Sequence, residues 1–97
     1  MEDSKSMLYP TKFFLFTGET MTTTCADTAT CAQIKKTIWK KKGWNDQVKF
    51  SYVMDEYAFR LRNVEFWFSD EDTFSNIRVM NHITHVYIYV FLDIYRI

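Results

Sequence analysis

The sequence predicts a small α+β fold, and three features of its 97 residues predict it: a glycine-centred hairpin near the start, one well-capped amphipathic helix, and a last segment that is apolar on both faces. A chain of this length holds one core, since independent domains usually need about 100 residues each. Hydrophobic residues make up 47% and aromatics 19%, enough to fill that core and too many for an intrinsically disordered chain. Residues 1–10 read as an N-terminal tail and 11–97 as a single domain.

Pro10 sets the entry to the first ordered element, and Lys12-Phe13-Phe14-Leu15-Phe16 is a β-prone run. Thr17-Gly18-Glu19 supplies the turn, with Gly18 free to take positive φ. From Thr20 to Ala26, Thr20, Thr22 and Thr24 alternate with Met21, Thr23 and Cys25, which closes a hairpin. The period then changes. Thr30 and Gln33 form a capping-box pattern, and Cys31, Ile34 and Ile38 make an apolar stripe on a helix over about residues 30–42. Lys40, Lys41 and Lys42 crowd its last turn, where the helix dipole favours cations, and Gly43 follows as the left-handed stop.

Strand signals return with Val48, Phe50 and Tyr52, and Asp55-Glu56 reads as a turn. Tyr57, Phe59 and Leu61 alternate with Arg60 and Arg62, and Val64, Phe66 and Phe68 with Glu65 and Trp67, an added hairpin within an enlarged 53–72 segment. Ser69-Asp70-Glu71-Asp72 is an acidic, solvated break opening one helical turn through Thr73-Phe74-Ser75-Asn76. In the final run, Val86, Ile88, Val90, Leu92 and Ile94 share one face and His85, Tyr87, Tyr89, Phe91 and Tyr95 the other, a pattern suited to a central strand.

Several stretches resemble the ubiquitin family. Phe14-Leu15-Phe16-Thr17-Gly18-Glu19-Thr20-Met21-Thr22 looks like the first ubiquitin hairpin, and Thr30-Cys31-Ala32-Gln33-Ile34-Lys35-Lys36-Thr37-Ile38 like the start of its helix. Gly18 and Gly43 are as far apart as the matching glycines of ubiquitin. Thr73-Phe74-Ser75-Asn76-Ile77-Arg78-Val79 is similar to the turn before ubiquitin's last strand, and Val86 to Leu92 stands where that strand would be. The resemblance spans about residues 12–92 and implies a β-grasp fold: a mixed sheet carrying one main helix, with the 53–72 segment as an enlargement. No glycine follows Gly43, whereas covalent modifiers of this family need a C-terminal Gly-Gly, so the expected role is non-covalent.

That role is a protein-interaction module, either a small subunit of a larger assembly or a viral-type or adaptor mimic of ubiquitin-fold proteins. The sheet-face aromatics Phe14, Phe16, Tyr87, Tyr89 and Phe91 are the candidate protein-binding residues, with Phe14 or Phe16 beside the last strand. The bland reading of the same rings is a second small core beneath the 53–72 hairpin. The alternative function is nucleic-acid contact through Lys35, Lys36, Lys40, Lys41 and Lys42, with Trp39 and Trp44 stacking on bases. A formal net charge of +0 favours a solvated, dipole-complementing helix end instead.

The composition narrows the rest. No apolar run reaches the ~18 residues of a membrane span, and the N-terminus has no signal-peptide h-region, so no membrane partner is expected. Cys25 and Cys31 are too few for a disulfide scaffold, which suggests an intracellular, reducing compartment. Their spacing, with His82 and His85, does not fit the common zinc patterns, and they read as small core hydrophobes. No nucleophile–base pairing, phosphate loop or cofactor motif stands out, so neither an enzyme nor a cofactor is expected.

Overall fold

A computed structural model describes residues 7–44, 53–84 and 90–97. Its elements are β1 (Leu8–Phe14), β2 (Thr20–Ala26), α1 (Cys31–Lys42), a 3-10 turn at Met54–Glu56, β3 (Tyr57–Leu61), β4 (Trp67–Phe68), α2 (Phe74–Thr84) and β5 (Val90–Arg96). The five strands form one open mixed sheet in the order β2-β1-β5-β3-β4. β5 lies in the middle, parallel to β1 and antiparallel to β3. The central placement expected for the last strand holds over its described part, and the architecture is compatible with the β-grasp expectation.

The hairpin turns where glycine permits it. Gly18 has φ 94°, and its N–H donates to the Leu15 carbonyl at 2.9 Å. β1 begins at Leu8, so residues 8–10 belong to the sheet and not to the tail. Pro10 pairs with Thr24 on β2. In α1 the capping box forms: the Gln33 N–H donates to Thr30 Oγ1 at 3.2 Å, and the Thr30 N–H donates to Gln33 Oε1 at 2.9 Å. Gly43 caps the other end at φ 70°.

The hairpin expected within 53–72 forms as β3 and β4, paired antiparallel and joined through Asn63 at φ 66°, a left-handed conformation that asparagine tolerates. The helical turn at Thr73–Asn76 does not stop there; it continues as α2 for 11 residues, giving two helices where one was expected. Phe74, Ile77 and Asn81 are buried at helical spacing, and the polar Asn81 interrupts the apolar stripe that would have announced the element. The expected strand at Val48, Phe50 and Tyr52 lies outside the described residues, as do Met1 to Ser6.

The helix starts are clasped together by backbone. The Cys31 and Ala32 N–H groups donate to the Asp72 and Asp70 carbonyls at 2.8 and 3.2 Å, while those of Phe74 and Ser75 donate to Ala29 and Asp27 at 2.8 and 3.1 Å. Each loop thus satisfies donors that the other helix leaves without an internal partner. The acidic break is therefore part of the framework and not merely a solvated turn. Arg78 of α2 strengthens the clasp with a bidentate pair to Asp27 at 2.8 and 3.0 Å, its guanidinium 3.8 Å from the centroid of Tyr9.

One face of the sheet meets the helices. Phe13, Leu15, Cys25, Tyr57, Phe59, Leu61, Phe68, Val90, Leu92 and Ile94 pack there with α1 and α2 residues in one core. The other face carries no helix among the described residues, and its side chains define the candidate site.

Candidate interaction surface

Strand register places the open-face residues in rows. Phe14 lies opposite Thr20 on one side and Asp93 on the other; Asp93 lies opposite Arg60, and Arg60 opposite Trp67. Because side chains alternate along a strand, Lys12, Phe91 and Tyr95 emerge on the same face. Phe14 and Phe91 are half-buried neighbours with centroids 6.2 Å apart, and Trp67 meets Tyr95 edge-on at 6.0 Å.

Cations lie on these rings. Arg62 sits 3.8 Å from the centroid of Phe14, and Lys12 lies 5.6 Å from the same ring. Arg60 sits 4.7 Å from the Tyr95 centroid and 5.4 Å from that of Trp67. Between the arginines is Asp93, only 4% exposed, whose Oδ1 accepts from Arg62 Nη1 at 3.0 Å. Burial pushes the Asp93 carboxyl above its ordinary value, against the opposing pull of Arg62 and Arg60. Arg60, Arg62, Asn63, Val64, Glu65, Asp93 and Tyr95 line an open cleft of about 340 Å³ here.

The shift at Asp93 has a sign that can be measured. Its folded-state pKa lies above the ordinary 3.8, so the folded protein holds this proton more tightly than the unfolded chain. The ionised carboxylate therefore costs stability at neutral pH, and the cost disappears as pH falls through the raised pKa. Wild-type stability measured relative to Asp93→Asn should rise between neutral pH and about pH 3, as followed by urea unfolding. A difference independent of pH would contradict the shift.

The expected binding residues separate on the structure. Phe14 and Phe91 do come together on the open face; Tyr87 and Tyr89 lie outside the described residues. Phe16 does not join them. It turns to the helix side, stacking on Tyr57 at 4.3 Å and meeting Trp44 at 4.9 Å and Trp39 at 6.1 Å. The 53–72 segment does not form a second layer over the face; it extends the sheet at its edge and contributes Arg60 and Trp67 to the surface. Sequence reasoning did not single out Arg60, Arg62, Trp67 or Tyr95 as site residues. The period-two alternation of Arg60 against Phe59 and Leu61 was the available signal.

The lysine–tryptophan grouping also divides. Trp39 and Trp44 are buried, packed edge to face at 4.8 Å, and present no exposed ring for base stacking. Lys35 is 3% exposed, its Nζ donating to the Met54 and Tyr57 carbonyls at 3.0 and 2.9 Å and pairing with Asp70 at 2.8 Å. It occupies the apolar stripe itself, four residues after Cys31 and three before Ile38, a spacing visible in the sequence. Lys36, Lys40 and Lys41 remain exposed, whereas Lys42 is half-buried and pairs with Glu19 at 2.8 Å. The Lys42 ammonium holds the Glu19 carboxyl below its ordinary value.

Cys25 and Cys31 are buried free thiols. Burial raises both, Cys31 to about 12 with Asp72 and Asp70 adding to the effect, so each is a protonated packing group at neutral pH. Among the described residues there is no group of three His, Cys, Asp or Glu side chains placed to hold a metal, and no helix is long and apolar enough to cross a membrane.

A scan against protein-family models finds no match to this chain, and a search of curated proteins finds no relative.

Proposed function

We propose that this chain is a ubiquitin-like β-grasp domain that acts non-covalently as a protein-interaction module, docking partners on the helix-free face of its sheet. The strand order β2-β1-β5-β3-β4, with β1 and β5 parallel and α1 following the first hairpin, supports the β-grasp reading. The observation that carries the docking reading is the run of Phe14, Phe91, Tyr95 and Trp67 with arginines laid across it. Trp67 and Tyr95 are 42% and 41% exposed, and aromatic and arginine side chains are the types that most often dominate binding energy at protein interfaces. A role as a small subunit of a larger assembly or as an adaptor accommodates this surface. The lysine-rich helix end has less in its favour, because both tryptophans and Lys35 are buried.

Affinity purification from cells tests the reading. A folded Trp67→Glu plus Phe91→Glu variant should lose its stoichiometric partner by about tenfold or more, since central interface substitutions commonly cost 2 kcal/mol or above. Lys36→Glu plus Lys40→Glu on α1 should retain it. Full retention by the sheet-face variant, with loss by the helix variant, would move the interaction to the lysine end.

A further inference from the structure

On the open face, Arg60 is the residue with a buried donor that the described residues leave unpaired. Its Nε is the only buried side-chain nitrogen or oxygen among them without a hydrogen-bond partner, and Arg60 forms no ion pair with any described residue. Asp93, opposite Arg60 across the β3–β5 ladder, gives Oδ1 to Arg62 at 3.0 Å and acts on Arg60 through charge alone, with no hydrogen bond between them. The guanidinium carbon lies 4.7 Å from the Tyr95 centroid and 5.4 Å from that of Trp67, two rings set 80° to one another that limit where the head group can turn, and with Nε buried its terminal Nη groups are the ones an outside acceptor would meet.

The balance of charge gives the chemistry of the missing group. Lys12, Arg60 and Arg62 share this face, while the buried Asp93 is engaged and Glu65 stands at the rim of the cleft. A guanidinium laid on rings has already lost part of its water and much of its rotamer freedom, so a planar anion binding it has less to offset. Asp93 and Glu65 line the same cleft and would repel a run of phosphates, whereas a single carboxylate can be seated at Arg60 alone. The aromatic surroundings favour a side chain on a peptide over a small free acid.

We infer that the open sheet face takes an acidic peptide segment of a protein partner, one carboxylate of which pairs with Arg60 against the rings of Trp67 and Tyr95. This deepens the docking reading above and rests on it. The capped peptide Gly-Glu-Phe-Glu-Gly is the probe, with Gly-Gln-Phe-Gln-Gly as its neutral counterpart, followed by amide and indole NMR shifts of the full chain.

The acidic peptide should move the Trp67 indole and the amides around Arg60 and Tyr95. The neutral peptide should bind about tenfold more weakly, as should the acidic peptide to Arg60→Gln, because a charge-assisted hydrogen bond is lost in each case. Arg60→Lys should fall between, retaining charge without the stacked fork. The spectrum of each variant reports whether it is folded, and Lys36→Gln should bind as wild type. Equal binding of the two peptides, or an undiminished response of Arg60→Gln, would overturn the acidic class while leaving the docking face to stand on its pull-down. Shifts confined to Lys36, Lys40 and Lys41 would overturn the placement. A single-stranded oligonucleotide that displaces the peptide from Arg60 more effectively than added acidic peptide would overturn the protein partner in favour of nucleic acid.

Discussion

Replacing Lys35 with methionine is expected to lower the unfolding free energy by about 2–3 kcal/mol, a large fraction of the 5–15 kcal/mol typical of a domain. Methionine preserves most of the aliphatic stem, so the substitution removes the charge and its hydrogen bonds more than the packing. The Met54 and Tyr57 carbonyls, now satisfied at 3.0 and 2.9 Å, would lose their ammonium donor in a buried setting. Asp70 would lose a 2.8 Å partner, but at 45% side-chain exposure it recovers water, which keeps the loss below that of a fully buried broken pair. Urea unfolding measures the effect. Lys36→Met, one residue along on the exposed side of α1, is the control and should stay within about 0.5 kcal/mol. Equal behaviour of the two variants would mean that Lys35 does not tie α1 to the 3-10 turn and the acidic loop.

Trp39→Ala should cost about 3–5 kcal/mol, the range for truncating a large aromatic in a close-packed core. Trp39 is fully buried between Phe16, Trp44 and Tyr57, with centroids 6.1, 4.8 and 5.6 Å away, and alanine leaves a cavity that three rings cannot easily close. Trp39→Phe should recover part of the loss. An indole exposed for base stacking would instead be replaceable at under about 0.5 kcal/mol, so the same unfolding measurement distinguishes a packing role from a nucleic-acid role. A small effect would place the ring at the surface and restore the alternative that its burial disfavours.

These residues show where sequence reading succeeds and where it stops. The capping box at Thr30 and Gln33, the left-handed stop at Gly43 and the turn at Gly18 were legible because each depends on groups within a few residues of one another. The alternation through Tyr57–Leu61 and the aliphatic face of Val90, Leu92 and Ile94 in the last strand were legible for the same reason. Phe16 and Trp39 read as surface aromatics because composition distinguishes a ring that can bind from a ring that can pack only once its neighbours are known. Lys35 lay on the apolar stripe, but its residue type argued for solvent. Two carbonyls and a carboxylate from a later part of the chain were needed to reverse that argument.

By itself, the sequence determined the local elements of this protein: a hairpin, a capped helix and a last strand with one aliphatic face, set by backbone freedom, capping chemistry and side-chain period. Tertiary structure alone decided that α2 begins at Phe74 against the loop before α1, whose Ala29 and Asp27 carbonyls accept from the Phe74 and Ser75 N–H groups. It also decided which aromatics look outward and left the buried Arg60 Nε without a hydrogen-bond partner among the described residues. Those outcomes depend on strand register and on contacts between distant segments, where one residue's surroundings are supplied by others far away in the chain.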